Sequence, residues 1–170
     1  GVSSAASDVY KRQVVGNLTG VAGSKVALTA GSSLRMADNT STTIASDFSG
    51  DGTLIKSGTG TLTLSGDNSG FGGSFTANAG TLQAASANAI GGAALGIGGA
   101  VTLTSPGALA LNAVGLNTSA GVGVLSVQTP GAVSFNGAVS GAGSLDLRGV
   151  GGKVSLLGNN GYAGGTRFAD

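Results

Sequence analysis

The stretch that decides the fold reads Lys56-Ser-Gly-Thr-Gly-Thr-Leu-Thr-Leu-Ser-Gly-Asp-Asn-Ser-Gly-Phe-Gly-Gly-Ser-Phe-Thr-Ala-Asn-Ala-Gly-Thr-Leu82. Apolar residues alternate with Thr and Ser in short bursts, and Gly or Asn closes each burst. Alternation with a period of two is typical of a half-buried strand, whereas Gly and Asn are typical of tight turns. The stretch therefore predicts strands joined by turns, with no helix between them.

A degraded copy of this pattern returns later in the chain. Phe48-Ser-Gly-Asp-Gly-Thr-Leu54 corresponds to Val139-Ser-Gly-Ala-Gly-Ser-Leu145 at an offset of 91 residues. Gly66-Asp-Asn68 corresponds to Gly158-Asn-Asn160 at an offset of 92, and we expect the slip of one residue to fall in a turn. We therefore predict a long repeat at about residues 48–138 and a partial second copy at 139–170.

Short strand bursts continue along most of the chain. Such bursts are too short to be stable as isolated hairpins, but they are stable as rungs of a parallel β-helix, where each coil stacks on its neighbours. The pattern therefore predicts an all-β chain folded as a single-stranded parallel β-helix, or solenoid. The alternative is an antiparallel sandwich or barrel, which favours longer strands linked by Asn-Gly or Asp-Gly hairpins. The predicted strands are 26–28, 34–36, 43–45, 53–55, 61–64, 74–77, 81–83, 101–104, 108–111, 122–127, 132–135, 144–147 and 153–156.

One segment rich in Ala and Gly, residues 84–99, lacks this alternation. We expect it to form either a loop excursion or a short helical turn over residues 84–89 that leaves the coil and returns. No composition shift along the chain indicates an internal domain boundary.

The two ends of the chain indicate that it is a fragment. Residues 3–13 are the in-frame translation of a common transposase-type sequencing adapter, so we interpret residues 1–13 as an adapter scar rather than natural sequence. The second repeat copy stops before its last expected element. We therefore expect residues 14–170 to be a β-helix fragment truncated at both ends.

Composition narrows the function further. The chain has 34 Gly, no Cys and no His, and residues 14–170 carry six basic and six acidic residues. No charged residue lies between Asp67 and Asp146. Without a basic stripe to neutralise phosphates, nucleic-acid binding is not expected. A membrane-spanning helix is not expected either, because the apolar residues 84–101 are broken by polar residues and Gly.

Few residues in the chain could carry catalysis. The absence of His, Cys and Glu excludes Ser-His-Asp triads and His- or Cys-based zinc sites within it. Asp47, Asp51 and Lys56 form the closest acidic and basic group, and we interpret them as solvated turn residues. We therefore predict no catalytic residues, no cofactor and no metal site.

Thr59, Thr61 and Thr63 are similar to the flat Thr rows of β-helical ice-binding proteins. Such a row works only if it recurs on the same face of many coils. The motif does not persist along the sequence, so we interpret these residues as ordinary outward strand positions.

The residues of the opening stretch resemble the autotransporter-associated β-strand repeat, also called the passenger-associated transport repeat, of bacterial type V secretion. The second copy is a weaker match, with Gly152-Lys153 inserted or displaced. The resemblance covers about half of residues 14–170. The matching residues are Lys56, Gly58, Gly60, Leu62, Leu64, Gly66, Asn68, Phe71, Gly73, Gly80, Thr81 and Leu82, and then Gly149, Val154, Leu156, Gly158, Asn160, Tyr162 and Gly165.

The resemblance implies a β-helical stalk in an autotransporter passenger, with a signal peptide and a C-terminal outer-membrane β-barrel elsewhere in the protein. It implies a surface-exposed or secreted location in a Gram-negative bacterium and a role in adhesion or aggregation, with a host or neighbouring cell surface as a partner. It implies no binding residues, because the repeat is a scaffold element. The alternatives are a self-assembling surface or matrix solenoid outside type V secretion and a β-helical polysaccharide-active enzyme.

Overall fold

The computed structural model describes residues 13–15, 18–118 and 121–169, and within these residues every helix or strand is a β-strand. None of them lies in a helix long and apolar enough to cross a membrane. The strands are β1 (Gln13–Val15), β2 (Lys25–Ala27), β3 (Ser33–Met36), β4 (Thr42–Ile44), β5 (Asp47–Ser49), β6 (Thr53–Lys56), β7 (Thr61–Leu64), β8 (Ser74–Ala77), β9 (Gly80–Ala84), β10 (Ala94–Ile97), β11 (Ala100–Thr104), β12 (Leu109–Leu111), β13 (Val114–Gly115), β14 (Asn117–Thr118), β15 (Gly121–Val122), β16 (Val124–Gln128), β17 (Val133–Phe135), β18 (Val139–Gly141), β19 (Ser144–Arg148), β20 (Val154–Leu156), β21 (Gly161–Tyr162) and β22 (Thr166–Ala169).

The interpretation of residues 1–13 as a scar concerns residues that lie outside the described part of the chain, apart from Gln13. That residue opens β1, which pairs in parallel with β3.

The chain winds into coils that each add one strand to the same sheets. Sheet A has the strand order β1-β3-β6-β8-β10-β13-β18-β21, and sheet B has the order β4-β7-β9-β11-β16-β19-β22. A third side, sheet C, is formed by β2-β5 and, further on, by β12-β17-β20. Every strand pair in these three sheets is parallel, so the predicted parallel β-helix is confirmed.

Inward side chains stack directly on one another from coil to coil. In sheet A the register places Leu54, Phe75, Leu95 and Val114 in one column, and all four are buried. Columns of this kind run along the whole described solenoid and form a single apolar core. Each burial of such a side chain contributes about 1.5–3 kcal/mol, so the core is the main favourable term in folding. The matching column in sheet B contains Leu62, Leu82, Leu103, Val127 and Leu147.

The coils differ in length, and one of them contains an insertion. Leu54 and Phe75 are partners in successive coils, as are Val114 and Val139, but the second pair encloses a longer stretch of chain. The extra residues form an antiparallel hairpin of β14 and β15, inserted where the chain passes from sheet A to sheet B. This hairpin was not predicted: the apolar run at 122–127 indicates one strand, whereas the structure divides it between β15 and β16.

The segment at residues 84–99 does not leave the coil, so the predicted excursion or helical turn is wrong. It contains β10, which pairs with β8 in sheet A, and the buried residues Ala89, Ile90 and Ala93 lead into that strand. The small side chains are needed because the backbone of Gly91 touches the backbone of the preceding coil, where an added Cβ would lie 2.1 Å from the carbonyl oxygen of Asn68. The lack of alternation here reflects a tightly packed corner rather than a loop.

The two copies of the long repeat occupy different sides of the solenoid. Leu54 points inward from sheet A, whereas Leu145, its counterpart in the second copy, points inward from sheet B. Likewise, β7 lies in sheet B and its counterpart β20 lies in sheet C. The offset of 91 or 92 residues between the two copies equals four complete coils plus one of the three sheet sides. The same unit of strand and corner therefore fits more than one side of the coil.

Glycine is required at many corners because successive coils approach each other through their backbones. A Cβ added to Gly58 would lie 1.7 Å from the carbonyl oxygen of Asp38, and one added to Gly60 would lie 2.1 Å from that of Thr40. Contacts this short with backbone atoms cannot be relieved by a side-chain rotation. The corners at these positions therefore exclude all side chains, and this explains the high Gly content of the chain.

We predict that Gly58→Ala lowers the free energy of unfolding by at least about 1–3 kcal/mol, the usual cost of overpacking a close contact. Urea denaturation followed by circular dichroism measures the change. Gly107→Ala is the matched control, because nothing lies within 4 Å of its added Cβ. An equal effect of the two substitutions would contradict the close-approach explanation.

Candidate functional site

The residues singled out as the closest charged group do not come together. Asp47 lies at the outward start of β5 and Asp51 is exposed in the following turn, whereas the side chain of Lys56 points into the core and is only 3% exposed. The interpretation as solvated turn residues therefore fits Asp51, whereas Asp47 lies in a strand and Lys56 is buried. The apolar alternation of Thr53–Lys56, with Leu54 inward, is the signal that places the lysine inside.

Lys56 links the corners of two successive coils. Its Nζ donates to the carbonyl oxygen of Gly58 at 2.5 Å and to that of Ala79 in the next coil at 2.9 Å. No carboxylate pairs with it in the described part of the chain. Burial lowers the pKa of the Lys56 ammonium below its usual value, because the charged form loses its hydration. The lysine thus satisfies corner carbonyls at an electrostatic cost.

Asn68 forms a second link between coils, and it joins three of them. Its side chain is 2% exposed, and its Oδ1 accepts the backbone N–H of Phe48 at 2.7 Å. Its Nδ2 donates to the carbonyl oxygen of Ala89 at 2.6 Å. Because Phe48 lies one coil before Asn68 and Ala89 lies one coil after it, one amide group connects the coil above with the coil below.

The second repeat copy reproduces half of this arrangement. Oδ1 of Asn160, the counterpart of Asn68, accepts the backbone N–H of Val139 at 2.8 Å. Val139 is itself the counterpart of Phe48, so both the asparagine and its donor recur with the repeat. Nδ2 of Asn160 bonds within its own coil, to the carbonyl oxygen of Gly158 at 2.8 Å. We call Asn68 and Asn160 the corner asparagines.

Polar side chains also form a ladder on the outside of the same corner. Oδ1 of Asp47 accepts the backbone N–H of Asp67 at 2.8 Å. Oδ1 of Asp67 in turn accepts Nδ2 of Asn88 at 3.0 Å and the backbone N–H of Ser69 at 3.1 Å. The Ser69 hydrogen bonds, followed by that of Asn88, hold the pKa of the Asp67 carboxyl below its usual value. These exposed acidic residues thus act in the turns rather than in a catalytic cluster.

The hairpin of β14 and β15 packs against the outside of sheet A. Thr118 lies against Gly96 of β10, where an added Cβ would come within 3.2 Å of the threonine Cγ2. Its hydroxyl donates to Oδ1 of Asn78, two coils earlier, at 3.3 Å. Val122 is 60% exposed on the second strand of the hairpin. The hairpin therefore lies on the outer surface of sheet A and is held there through Thr118.

The described residues contain no group of three or more acidic, His or Cys side chains that could hold a metal ion. A small cavity beside Lys56 is lined by Asp38, Thr42 and Leu62. It has room for about one water molecule, too little for an organic substrate. The described residues thus form a β-solenoid whose charged and polar side chains bond mainly at the corners.

Comparison with protein families identifies a known repeat in two segments of this solenoid. The model of the passenger-associated-transport-repeat family matches residues 54–84 and 151–170, so the chain contains this repeat, as the sequence resemblance predicted. The repeat and the solenoid together fit the stalk of an autotransporter passenger. No curated protein and no solved structure matches the chain.

The first match contains Lys56 and Asn68, and the second contains Asn160. The repeat motif therefore includes side chains that bind one coil to the next. This gives a physical reason for the Lys and Asn positions of the pattern.

We predict that Asn68→Ala lowers the free energy of unfolding by about 1–3 kcal/mol for each buried backbone group left without a partner. Asn68→Asp should keep the bond from Phe48 but place a carboxylate against the carbonyl of Ala89, which raises the aspartate pKa in the folded protein. Stability of that variant is then present at acidic pH and is lost as the pH rises. Asn159→Asp, at an exposed position beside Asn160 in the second repeat copy, is the control. Identical pH profiles of the two aspartate variants in urea denaturation would contradict the role of the corner asparagine.

We predict that Lys56→Met lowers stability at neutral pH, because two corner carbonyls lose their donor. The folded pKa of Lys56 lies below the unfolded value, so the unfolded chain binds more protons between the two values. The stability of the wild type relative to Lys56→Met therefore rises as the pH approaches 10.5, the ordinary value of lysine.

Urea denaturation of both proteins from pH 6 to about pH 10 tests this difference. Lys153→Met, which removes the same charge from an exposed side chain, controls for net charge. A difference that stays constant over this range would show that burial does not lower the lysine pKa.

Proposed function

We propose that the chain is a stalk segment of an autotransporter passenger that is displayed or secreted at the surface of a Gram-negative bacterium. The observation that carries the proposal is a parallel stack of coils that contains two segments of the passenger-associated transport repeat. In this proposal the chain is a non-enzymatic spacer, and its partner for export is an outer-membrane β-barrel encoded in the same protein.

The physics of the stack supports export through an outer membrane. Each coil contacts only its neighbours, so a coil that has folded outside the cell is a template for the next one. The corner asparagines and Lys56 add side-chain bonds across the coil boundary. The chain contains no Cys, so no disulfide hinders its passage in an unfolded state.

Adhesion or aggregation is the activity that this stalk serves in our proposal, with a host or neighbouring cell surface as partner. The feature that supports it is the hairpin of β14 and β15, which is inserted into an otherwise regular coil and lies on the outside of sheet A. Its exposed Val122, together with Val124 at 41% exposure, offers apolar contact area beside the sheet.

A second candidate is a surface or matrix solenoid that assembles end to end without a barrel. It rests on the same stacking: each coil pairs only with its neighbours, so two stacks can join where their end coils match.

The test places the tagged chain between a signal peptide and an autotransporter barrel in a Gram-negative host. We expect antibody to reach the tag on intact cells and the chain to resist added protease, because a folded solenoid protects its backbone. Leu103→Asp, which puts a charge into the core, should reach the surface but be digested quickly. Retention of the wild type in the periplasm, or equal digestion of both chains, would contradict the passenger proposal.

Sequencing the flanking DNA separates the two candidates. Downstream strands of about 10 residues with alternating hydrophobicity would indicate the expected barrel. A gene that closes without them would favour the matrix solenoid. In the barrel-linked display, faster settling of cells that carry the chain than of cells with the barrel alone would support the aggregation role.

A further inference from the structure

Sheet B presents a regular uncharged outer face over four consecutive strands, β7, β9, β11 and β16. The register places Thr61, Thr81, Thr102 and Ser126 in one outward column. Two residues further along each strand, a second column contains Thr63, Gln83, Thr104 and Gln128. We call these two columns the hydroxyl face.

The Thr-x-Thr motif does not persist on every coil, but it recurs on one further strand of the same face. The pair Thr61 and Thr63 recurs two coils later as Thr102 and Thr104, and the coil between them carries Thr81 with Gln83. The sequence hides this recurrence because successive members of a column are unevenly spaced along the chain. The coil lengths differ, and only the strand register brings these residues to one face.

Most hydroxyl groups of this face have no partner in the described part of the protein. One internal bond is present there, from Oγ1 of Thr63 to Oε1 of Gln83 at 2.9 Å. The side chains of Thr61, Thr81, Thr102 and Thr104 are half-exposed and make no other side-chain hydrogen bond among the described residues. Each of these four threonine side chains is therefore partly open to the solvent, and its hydroxyl has no internal hydrogen bond among the described residues.

The spacing of the groups is set by the backbone. Neighbouring strands lie about 4.7–4.9 Å apart, and alternate residues of one strand lie about 6.6 Å apart. The six parallel pairs from β4 to β22 continue without a bulge, so the spacing is regular across the face. A regular grid of this kind, repeated in two directions, suits a partner whose own surface is periodic.

We propose that the hydroxyl face binds ice. Rigidly spaced hydroxyl groups can hydrogen-bond to the water molecules of an ice surface. The methyl groups between them hold no water by hydrogen bonds, so contact with the surface carries no desolvation penalty for them. The absence of charge matters, because charged groups hold their own water shell. An ordered polysaccharide is the other hydroxyl-rich partner to weigh, but sugar rings favour aromatic side chains, and neither column contains one.

The face ends at β19, where charge replaces the hydroxyl groups. Asp146 follows Ser126 in the first column, and Arg148 follows Gln128 in the second. The Asp146 Oδ2 accepts from Nε of Arg148 at 2.9 Å. This ion pair marks the end of both columns. The proposed surface therefore consists of the eight side chains of the hydroxyl face on β7, β9, β11 and β16.

The experiment compares ice growth in the presence of three purified proteins. These are the 170-residue chain, the variant Thr81→Lys/Thr102→Lys, and the control Ala110→Lys/Ser140→Lys. The control adds the same two charges at exposed outward positions of sheets C and A. Circular dichroism and melting temperature establish that all three fold alike, and ice recrystallisation and thermal hysteresis are then measured.

We expect the chain and the control to slow recrystallisation, and the Thr81→Lys/Thr102→Lys variant to lose this effect. A folded chain without effect on ice, or equal inhibition by both lysine variants, would overturn the proposal. Retention on crystalline cellulose or chitin without an effect on ice growth would also overturn it, in favour of a polysaccharide partner. None of these outcomes depends on surface display, so the passenger proposal is tested separately.

Discussion

The structure depends on one constraint, the stacking of each coil on the next at backbone hydrogen-bonding distance on all sides. Strand sides satisfy this easily, because their side chains point inward or outward and never toward the next coil. Corners do not satisfy this constraint easily, because a Cβ at a turn can point toward the neighbouring coil. At Gly58 and Gly60 a Cβ would meet the carbonyls of the preceding coil, so these corners have no side chain. The glycine content of the chain follows from this geometry.

Close stacking creates a second requirement at the same corners. Where the chain turns, backbone N–H and C=O groups point away from the sheets and are cut off from water by the neighbouring coils. A buried backbone group without a partner costs about 1–3 kcal/mol. Asn68 meets this need with a neutral donor and acceptor that reach two coils, and Lys56 meets it with a cation that donates to two carbonyls. Asparagine carries no desolvated charge, which gives a physical reason why both repeat copies use it.

Much of the fold could be predicted from the sequence, because strand alternation and Gly or Asn corners are local signals. The stretch from Lys56 to Leu82 is read correctly as strands and turns for this reason. The burial of Lys56 also has a local signal, because Lys56 lies two residues after the inward Leu54 in the same strand. The charge of the lysine led to the opposite interpretation. The hairpin of β14 and β15 could not be predicted, since the residues around Val122 also fit a single strand. Relations between coils are concealed as well, because coil lengths differ and the two repeat copies lie on different sides. The shared bond of Asn68 and Asn160 to the coil above is therefore visible only in the register.

The inward and outward positions of the solenoid must meet different requirements. This difference makes the solenoid suitable as a scaffold. Inward columns such as that of Leu82 and Leu103 must remain apolar, because each residue packs on its counterparts above and below. Outward positions need only suit a pleated surface, so they are free to change without loss of the fold. Yet the stack still imposes its spacing on them, and any outward residue that recurs in register becomes part of a regular lattice. A surface function in such a protein therefore arises from a row of ordinary residues, each of which is uninformative when it is read alone.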